Sequence, residues 1–279
     1  MEFAGVSREV RDLVRAALAE DIGTGDVTTR LCVTEWSTAR GRFFARQDLV
    51  LAGVELLPLI FEEFGGRNRL ELKKSSGDHA AKGEAVAEVT GSTRPMLTCE
   101  RVALNFLQRL SGIATLARRY ADQVAGTKCR ILDTRKTTPG WRRLEKMAAA
   151  AGGVVNHRMG LYDAVLIKNN HIVAAGGIRA ALAATRSSEL PVEVEVRTWE
   201  ELTEALACGA GRLLLDNLTP AQAAEWIRHI GDRAVVEVSG GITLENVRAY
   251  AEAGADFLSC GSITHSAPAA DLNFRVELL

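Results

Sequence analysis

The chain has 279 residues, is 47% hydrophobic and 25% charged, and carries a formal net charge of −1. That is the make-up of an ordinary folded protein, which excludes a disordered or fibrous chain. Near-neutrality supplies no global field for nucleic acid or an anionic membrane, and no apolar run approaches the ~20 residues of a membrane span. The length allows one large α/β barrel or two modest domains. Five cysteines at positions 32, 99, 129, 208 and 260 are odd in number and form no CxxC pair. They read as reduced thiols of a cytoplasmic protein, not as a zinc site or a disulfide framework. The start MEFAGVSREVRDLV has acids and no apolar stretch, unlike a secretory leader.

Ser7 is placed to cap a helix whose apolar face is Val10, Leu13, Val14, Ala17 and Leu18, ending near Glu20. The segment EDIGTGDVTT (20–29) reads as a loop. Residues 40–54, 69–74 and 84–90 read as strands, with a helix over Glu55–Phe64. They make an α+β unit of antiparallel strands over about the first 95 residues. Pro95 marks its boundary, and Thr98 is placed to cap a helix carrying Val102, Phe106, Leu110 and Ile113, with a bend at Ser111-Gly112.

From Cys129 the pattern becomes strict alternation. Apolar runs at 130–133, 164–168, 192–196, 212–216, 235–239 and 256–260 read as buried strands. Helical segments at 141–151, 173–187, 199–208, 220–229 and 243–253 separate them. Thr219-Pro220 and Thr243 look like helix starts. Six β/α units in a row indicate a parallel sheet with helices outside. Each strand end carries a polar group: Arg135 and Lys136, Lys168 and Asn169, Glu195, Asp216 and Asn217, Ser239-Gly240-Gly241, then Gly261-Ser262. In a parallel barrel all these ends open on one face, where active sites lie, so a barrel is favoured over a doubly wound sheet.

The residue types indicate the ligand. The glycine loops SGG (239–241) and CGSIT (260–264) follow the last two strands, where backbone N–H groups can approach a phosphate. Glu195 and Asp216 are inward acids on adjacent strands and must be paired or hold a metal. Beside a phosphate, Mg2+ is the natural metal; ion pairs with Lys136 or Lys168 are the alternative. The stretch Asp133–His171 holds nine basic side chains, counting histidines. Arg135, His157 and Arg158, with Arg101, supply directional donors for a second anion with several carboxylates. Arg142, Arg143, Lys146 and His171 read as structural or peripheral, and His79 and His229 as solvated.

These motifs resemble a known family. EDIGTGDVTT, ERVALNFLQRLSGIAT, DTRKTTPG, LEKMAAAAGGVVNHRMGLYDAVLIKNNH, EVEV, LLLDN, VSGGIT and CGSITHS look like quinolinate phosphoribosyltransferase, in order over nearly the whole chain. The resemblance implies transfer from phosphoribosyl pyrophosphate to quinolinate with decarboxylation, giving nicotinate mononucleotide, pyrophosphate and CO2 on the route to NAD. It implies an incomplete, seven-stranded parallel α/β barrel at 111–269. An N-terminal α+β sandwich would occupy 1–110, with 270–279 returning to it. It also implies a homodimer with shared active sites, some members forming hexamers, and Mg2+ as cofactor.

By the same resemblance Arg135, His157 and Arg158 bind quinolinate, and Arg101 is contributed from the partner subunit. Lys136 and Lys168 lie near pyrophosphate and substrate, with Glu195 and Asp216 near the ribose hydroxyls and Mg2+. Ser239, Gly240, Gly241 and Gly261 cradle the 5′-phosphate. His265 matches a position that varies among basic residues. Trp141 and Tyr162 depart from the family pattern without removing a charge. Two other readings compete: a molybdenum-transport-associated relative, opposed by the intact arginine set, and a non-catalytic phosphate-ligand-binding barrel, opposed by Glu195 and Asp216.

Overall fold

The computed structural model describes residues 7–65 and 67–279, so the first six residues of the leader reading lie outside it. The chain divides into two compact units. The first comprises Met1–Arg118, Thr138–Gly153 and Ser266–Leu279; the second comprises Arg119–Thr137 and Val154–His265.

In the first unit α1 (Arg8–Ile22) starts at Ser7, whose Oγ accepts the Val10 N–H at 3.4 Å. It buries Val10, Val14 and Leu18, the face that the apolar spacing marks. The acidic segment 20–29 is not simply a loop: Asp26 caps a further helix, α2 (Val27–Cys32), accepting the Thr29 N–H at 2.8 Å. The bonds from Thr29 hold the Asp26 carboxyl below its ordinary range. This acid is therefore a helix cap.

β1 (Thr38–Ala45), β2 (Leu49–Val50), α3 (Leu56–Phe64), β3 (Arg69–Leu72), β4 (His79–Ala80) and β5 (Ala85–Ser92) follow, then α4 (Thr93–Gln123). Later segments add α5 (Arg142–Ala151) and β12 (Leu272–Leu278). The main sheet runs β12-β1-β5-β3, all antiparallel, so the chain end pairs with the first strand.

α4 begins five residues before the expected Thr98 cap and continues through Ser111-Gly112. Pro95 lies in its first turn, where a missing N–H costs no helical bond. Thr98 instead sits inside the helix and donates to Arg94 O at 3.0 Å and to the Asp26 carboxylate at 3.1 Å. In α5, Lys146 and Glu145 are fully buried. Glu145 accepts from Arg109 Nη2 at 2.7 Å and from the Thr138 hydroxyl and N–H at 2.8 and 3.0 Å. Trp141 stacks on Phe106 with ring centroids 4.8 Å apart.

The second unit contains β6 (Arg130–Leu132), β7 (Val165–Ile167), α6 (Asn169–Ala175), α7 (Ile178–Ala184) and β8 (Val192–Val196). Then come α8 (Trp199–Ala207), β9 (Arg212–Asp216), α9 (Pro220–Ile230), β10 (Val235–Ser239), α10 (Val247–Glu252), β11 (Phe257–Ser259) and α11 (Ser262–His265). The single helix expected over 173–187 is two helices, because Gly176 and Gly177 both adopt positive φ between them.

The six strands are parallel in the order β6-β11-β10-β9-β8-β7. A seventh position is present as one bridge: Val155 pairs in parallel with Leu132, on the side of β6 away from β11. Val155 N–H donates to Ile131 O at 2.9 Å, and Asp133 N–H donates to Val155 O at 3.1 Å. Among the described residues, every consecutive pair around the ring is bonded except the Val155 segment and β7. The fold is thus an incomplete, seven-stranded parallel α/β barrel, with an α/β sheet unit before it. No helix among the described residues is long and apolar enough to cross a membrane.

Candidate active site

The strand register delivers the site. Along β8, β9 and β10, residues two apart face the same side: Glu195, Leu214 and Glu237 are level in the register, and Asp216 and Ser239 lie one layer further on. Ser239 lies opposite Asp216 on one neighbour and Ser259 on the other. Above them opens a cavity of about 850 Å³ within the second unit.

Arg135, Lys136, His157, Arg158, Lys168, Glu195, Asp216, Ser239, Gly240, Gly241, Gly261 and His265 all line it. Arg101 does not: it is an exposed residue of α4 in the first unit. Beyond the expected set, Asn169, Asn170, Arg197, Asn217 and Glu237 also face the cavity.

Two cationic groups of residues line one space. Arg135, Lys136 and Arg158 come from the loops after β6 and after Val155. The Arg158 guanidinium is pushed below its ordinary range by burial and by the neighbouring charge of Arg135. Like charges held together in a half-buried cavity favour an anion between them. Arg158 Nη1 donates to Ala164 O at 3.1 Å, and Asp163 accepts the Met159 and Gly160 N–H groups at 2.6 and 3.0 Å. The loop that carries Arg158 is therefore tied to itself.

The second group is Lys168 and Arg197. Lys168 lies 3.9 Å from Glu195, and its N–H donates to His171 Nδ1 at 2.9 Å. His171 thus closes the start of α6. Arg197 donates to Asn169 Oδ1 and lies 3.5 Å from Glu201.

Beneath the cavity lies a polar floor. Asp133 is fully buried. Its carboxylate accepts the His157 N–H at 2.8 Å and the Asn156 side-chain amide at 2.6 Å. His157 Nε2 is 3.6 Å from Glu193 Oε2 and 3.4 Å from Glu237 Oε2, both acids being buried. Burial lowers the imidazole, and the two carboxylates beside Nε2 raise it by more. The Arg158 N–H works the other way: it donates to His157 Nδ1 at 2.7 Å, where an imidazolium has no lone pair. In this geometry the ring carries its proton on Nε2. Glu193 is itself pushed up, first by burial and then by Glu237.

The glycine loops come close to their neighbours. Gly240 adopts φ +94, and a Cβ there would lie 2.2 Å from Asn217 Oδ1 and 2.9 Å from Asn217 N. At Gly261 a Cβ would meet the Lys136 side chain at 2.9 Å. The Thr264 hydroxyl donates to Lys136 O at 2.7 Å, fastening α11 to the loop after β6. Gly240→Ala should lower the unfolding midpoint by the equivalent of ~1–3 kcal/mol and weaken binding of a phosphorylated ligand. Thermal melts with and without ligand check this; an unchanged midpoint would refute the close-packed loop.

Glu193 and Glu237 were legible in principle. VEVEV and VVEVS place each acid two residues before a group already singled out, on the same face. Asp133 and Arg197 gave weaker signals, because their roles depend on partners distant in sequence.

Comparison with known proteins gives a consistent likeness. The patterns described as the quinolinate phosphoribosyl transferase C-terminal and N-terminal domains match residues 113–275 and 26–111. The probable carboxylating nicotinate-nucleotide pyrophosphorylase of Bacillus subtilis is 39% identical, covering 97% of this chain and 94% of that protein. The carboxylating nicotinate-nucleotide pyrophosphorylase of Mycobacterium leprae is 40% identical over 94% of this chain and 95% of its own. The solved nicotinate-nucleotide pyrophosphorylase of Francisella tularensis superposes with a TM-score of 0.93 at 37% identity, covering 96% of each chain.

Proposed function

The chain belongs to the quinolinate phosphoribosyl transferase family, and from that premise we propose how its cavity performs the family's reaction. The reaction is phosphoribosyl transfer from phosphoribosyl pyrophosphate to quinolinate with decarboxylation, giving nicotinate mononucleotide, pyrophosphate and CO2, a step of NAD biosynthesis. Arg135 and Arg158, two mutually repelling guanidiniums in one cavity, are the observation that carries the assignment of quinolinate to this space. Each can take a carboxylate with two parallel hydrogen bonds, which lysine cannot.

Phosphoribosyl pyrophosphate occupies the other side of the same cavity. Its 5′-phosphate lies against the backbone of Ser239-Gly240-Gly241 and Gly261, where glycine leaves room for close approach. His265 borders this phosphate region, and Lys136 and Lys168 face the leaving pyrophosphate. Glu195 and Asp216 are hard oxygen donors at adjacent strand ends and fit Mg2+, directly or through water. Mg2+ held there would offset charge on the pyrophosphate. Asn217 Nδ2 donates to the Asp216 carboxylate at 2.7 Å and fixes one of its oxygens.

The pyridine nitrogen attacks ribose C1: the N–C1 bond forms as the C1–O bond to pyrophosphate breaks. Glu195 and Asp216 face the positive charge that grows on the sugar, and the lysines face the negative charge that grows on the leaving group. The nitrogen, now quaternary, accepts electron density as the C2–carboxylate bond breaks, and C2 then takes a proton. No protein nucleophile enters, so the side chains act by positioning and electrostatics.

Incubation with quinolinate, phosphoribosyl pyrophosphate and Mg2+ should release nicotinate mononucleotide and CO2 in equal amounts. Turnover of nicotinate without turnover of quinolinate would overturn the reading.

Arg101 acts on quinolinate from a second copy of the chain, in a homodimer with shared sites in the cytoplasm. Its exposure on α4, away from the cavity lining, supports that role. Arg101→Ala and Lys136→Ala variants should each be nearly inactive alone. Mixed, they should recover about a quarter of wild-type activity, because random pairing restores one intact site in half of the dimers. Assay after subunit exchange checks this, and no recovery would refute the shared site.

A further inference from the structure

Two buried carboxylates at the base of the cavity have no role in the reaction described above. Glu193 is 5% exposed and Glu237 1%, and they stand on β8 and β10 with β9 between them. Neither oxygen of Glu237 receives a hydrogen bond among the described residues, nor does Glu193 Oε1. Core packing does not explain them: buried acids facing one imidazole are often replaceable by apolar side chains with no loss of stability.

The three side chains have the spacing of a cation site. A cation on Nε2 needs the proton on Nδ1, yet Nδ1 accepts the Arg158 N–H. The cluster is therefore built around an Nε2–H, not around a metal. What it touches next is the anion clamp, since His157 is followed directly by Arg158. The same short segment is held from the other side by Asp133.

We propose that Glu193 and Glu237 are positioning residues for the dicarboxylate substrate: they hold His157 as the Nε2–H tautomer, whose Nδ1 seats the Arg158 backbone. In this arrangement His157 aligns the clamp, and quinolinate is gripped by the guanidiniums beyond it. This rests on the functional reading above for the identity of the substrate, but the tautomer does not.

Two measurements separate the points. In protein labelled with 15N-histidine, long-range proton–nitrogen correlation should show His157, assigned with His157→Gln, with Nε2 protonated and Nδ1 bare at neutral pH. Glu237→Gln should abolish the single-tautomer pattern. Steady-state kinetics of Glu237→Gln and Glu193→Gln should show the KM for quinolinate raised about 10-fold or more, the scale of one lost buried charge partner. The KM for phosphoribosyl pyrophosphate should stay within about twofold, well under a tenfold step. Either glutamine variant that folds by circular dichroism suffices.

An imidazolium or an Nδ1–H tautomer in the wild type would overturn the proposal, as would an unchanged KM for quinolinate in a folded variant. A wild type inactive on quinolinate yet showing the Nε2–H tautomer would refute the functional reading and leave the histidine lock standing.

Discussion

Arg158→Ala should raise the KM for quinolinate by about 30-fold or more, the equivalent of ~2–5 kcal/mol for a truncated partner of a buried charge pair. The KM for phosphoribosyl pyrophosphate should barely move, because the place proposed for its phosphate is on the glycine loops after β10 and β11. The size of the effect follows from where the guanidinium stands. It is partly removed from water, lies near Arg135, and is anchored through Ala164 O. Burial and the charge of Arg135 both disfavour its charge, against Asp163 and Glu193, so a bound dicarboxylate relieves repulsion as well as forming bonds. Arg158→Lys should recover only part of the loss, since a point charge cannot grip a carboxylate in two places. Initial rates at varied quinolinate and fixed saturating phosphoribosyl pyrophosphate measure this. A variant whose KM rises for phosphoribosyl pyrophosphate instead would sink the assignment of the clamp.

The second large effect is expected at Asp133. This carboxylate is fully buried and accepts from the His157 backbone and the Asn156 amide. Asp133→Ala leaves both donors without acceptors in a dry interior, at a cost of about 3 kcal/mol or more. Asp133→Asn is no remedy: one oxygen becomes an NH2 that faces another donor. Both variants should unfold at lower denaturant and lose quinolinate affinity, because the segment holding His157 and Arg158 comes loose. Urea unfolding and quinolinate titration test this together. An asparagine variant as stable as the wild type would show that the carboxylate is not the fastening point.

Much of the barrel was legible because buried parallel strands announce themselves. RLLLD and VVEVS are apolar runs bounded by turn residues, and each ends in a group that the cavity uses. The seventh strand was not visible as a run, since it survives as the single bridge at Val155. Asp26 looked like a loop acid, and only the Thr29 N–H above it makes it a cap. Thr98 looked like a cap, yet its hydroxyl bonds back to Arg94 within a helix already under way. The site residues sit at strand ends, where period-two spacing constrains them. Their partners, such as Asp133 for Asn156 or Glu237 for His157, follow from three-dimensional closure that no local pattern encodes.

The unbonded seam between Val155 and β7 has a kinetic consequence. Among the described residues, 156–164 form no strand ladder across it, and the Asp133 and Asp163 carboxylates hold several of their N–H groups. Local opening there breaks no strand ladder, so amide hydrogens across the seam should exchange with solvent faster than those of strands β8, β9 and β10. A ligand held by Arg158 would slow that exchange, making the seam a natural reporter of occupancy.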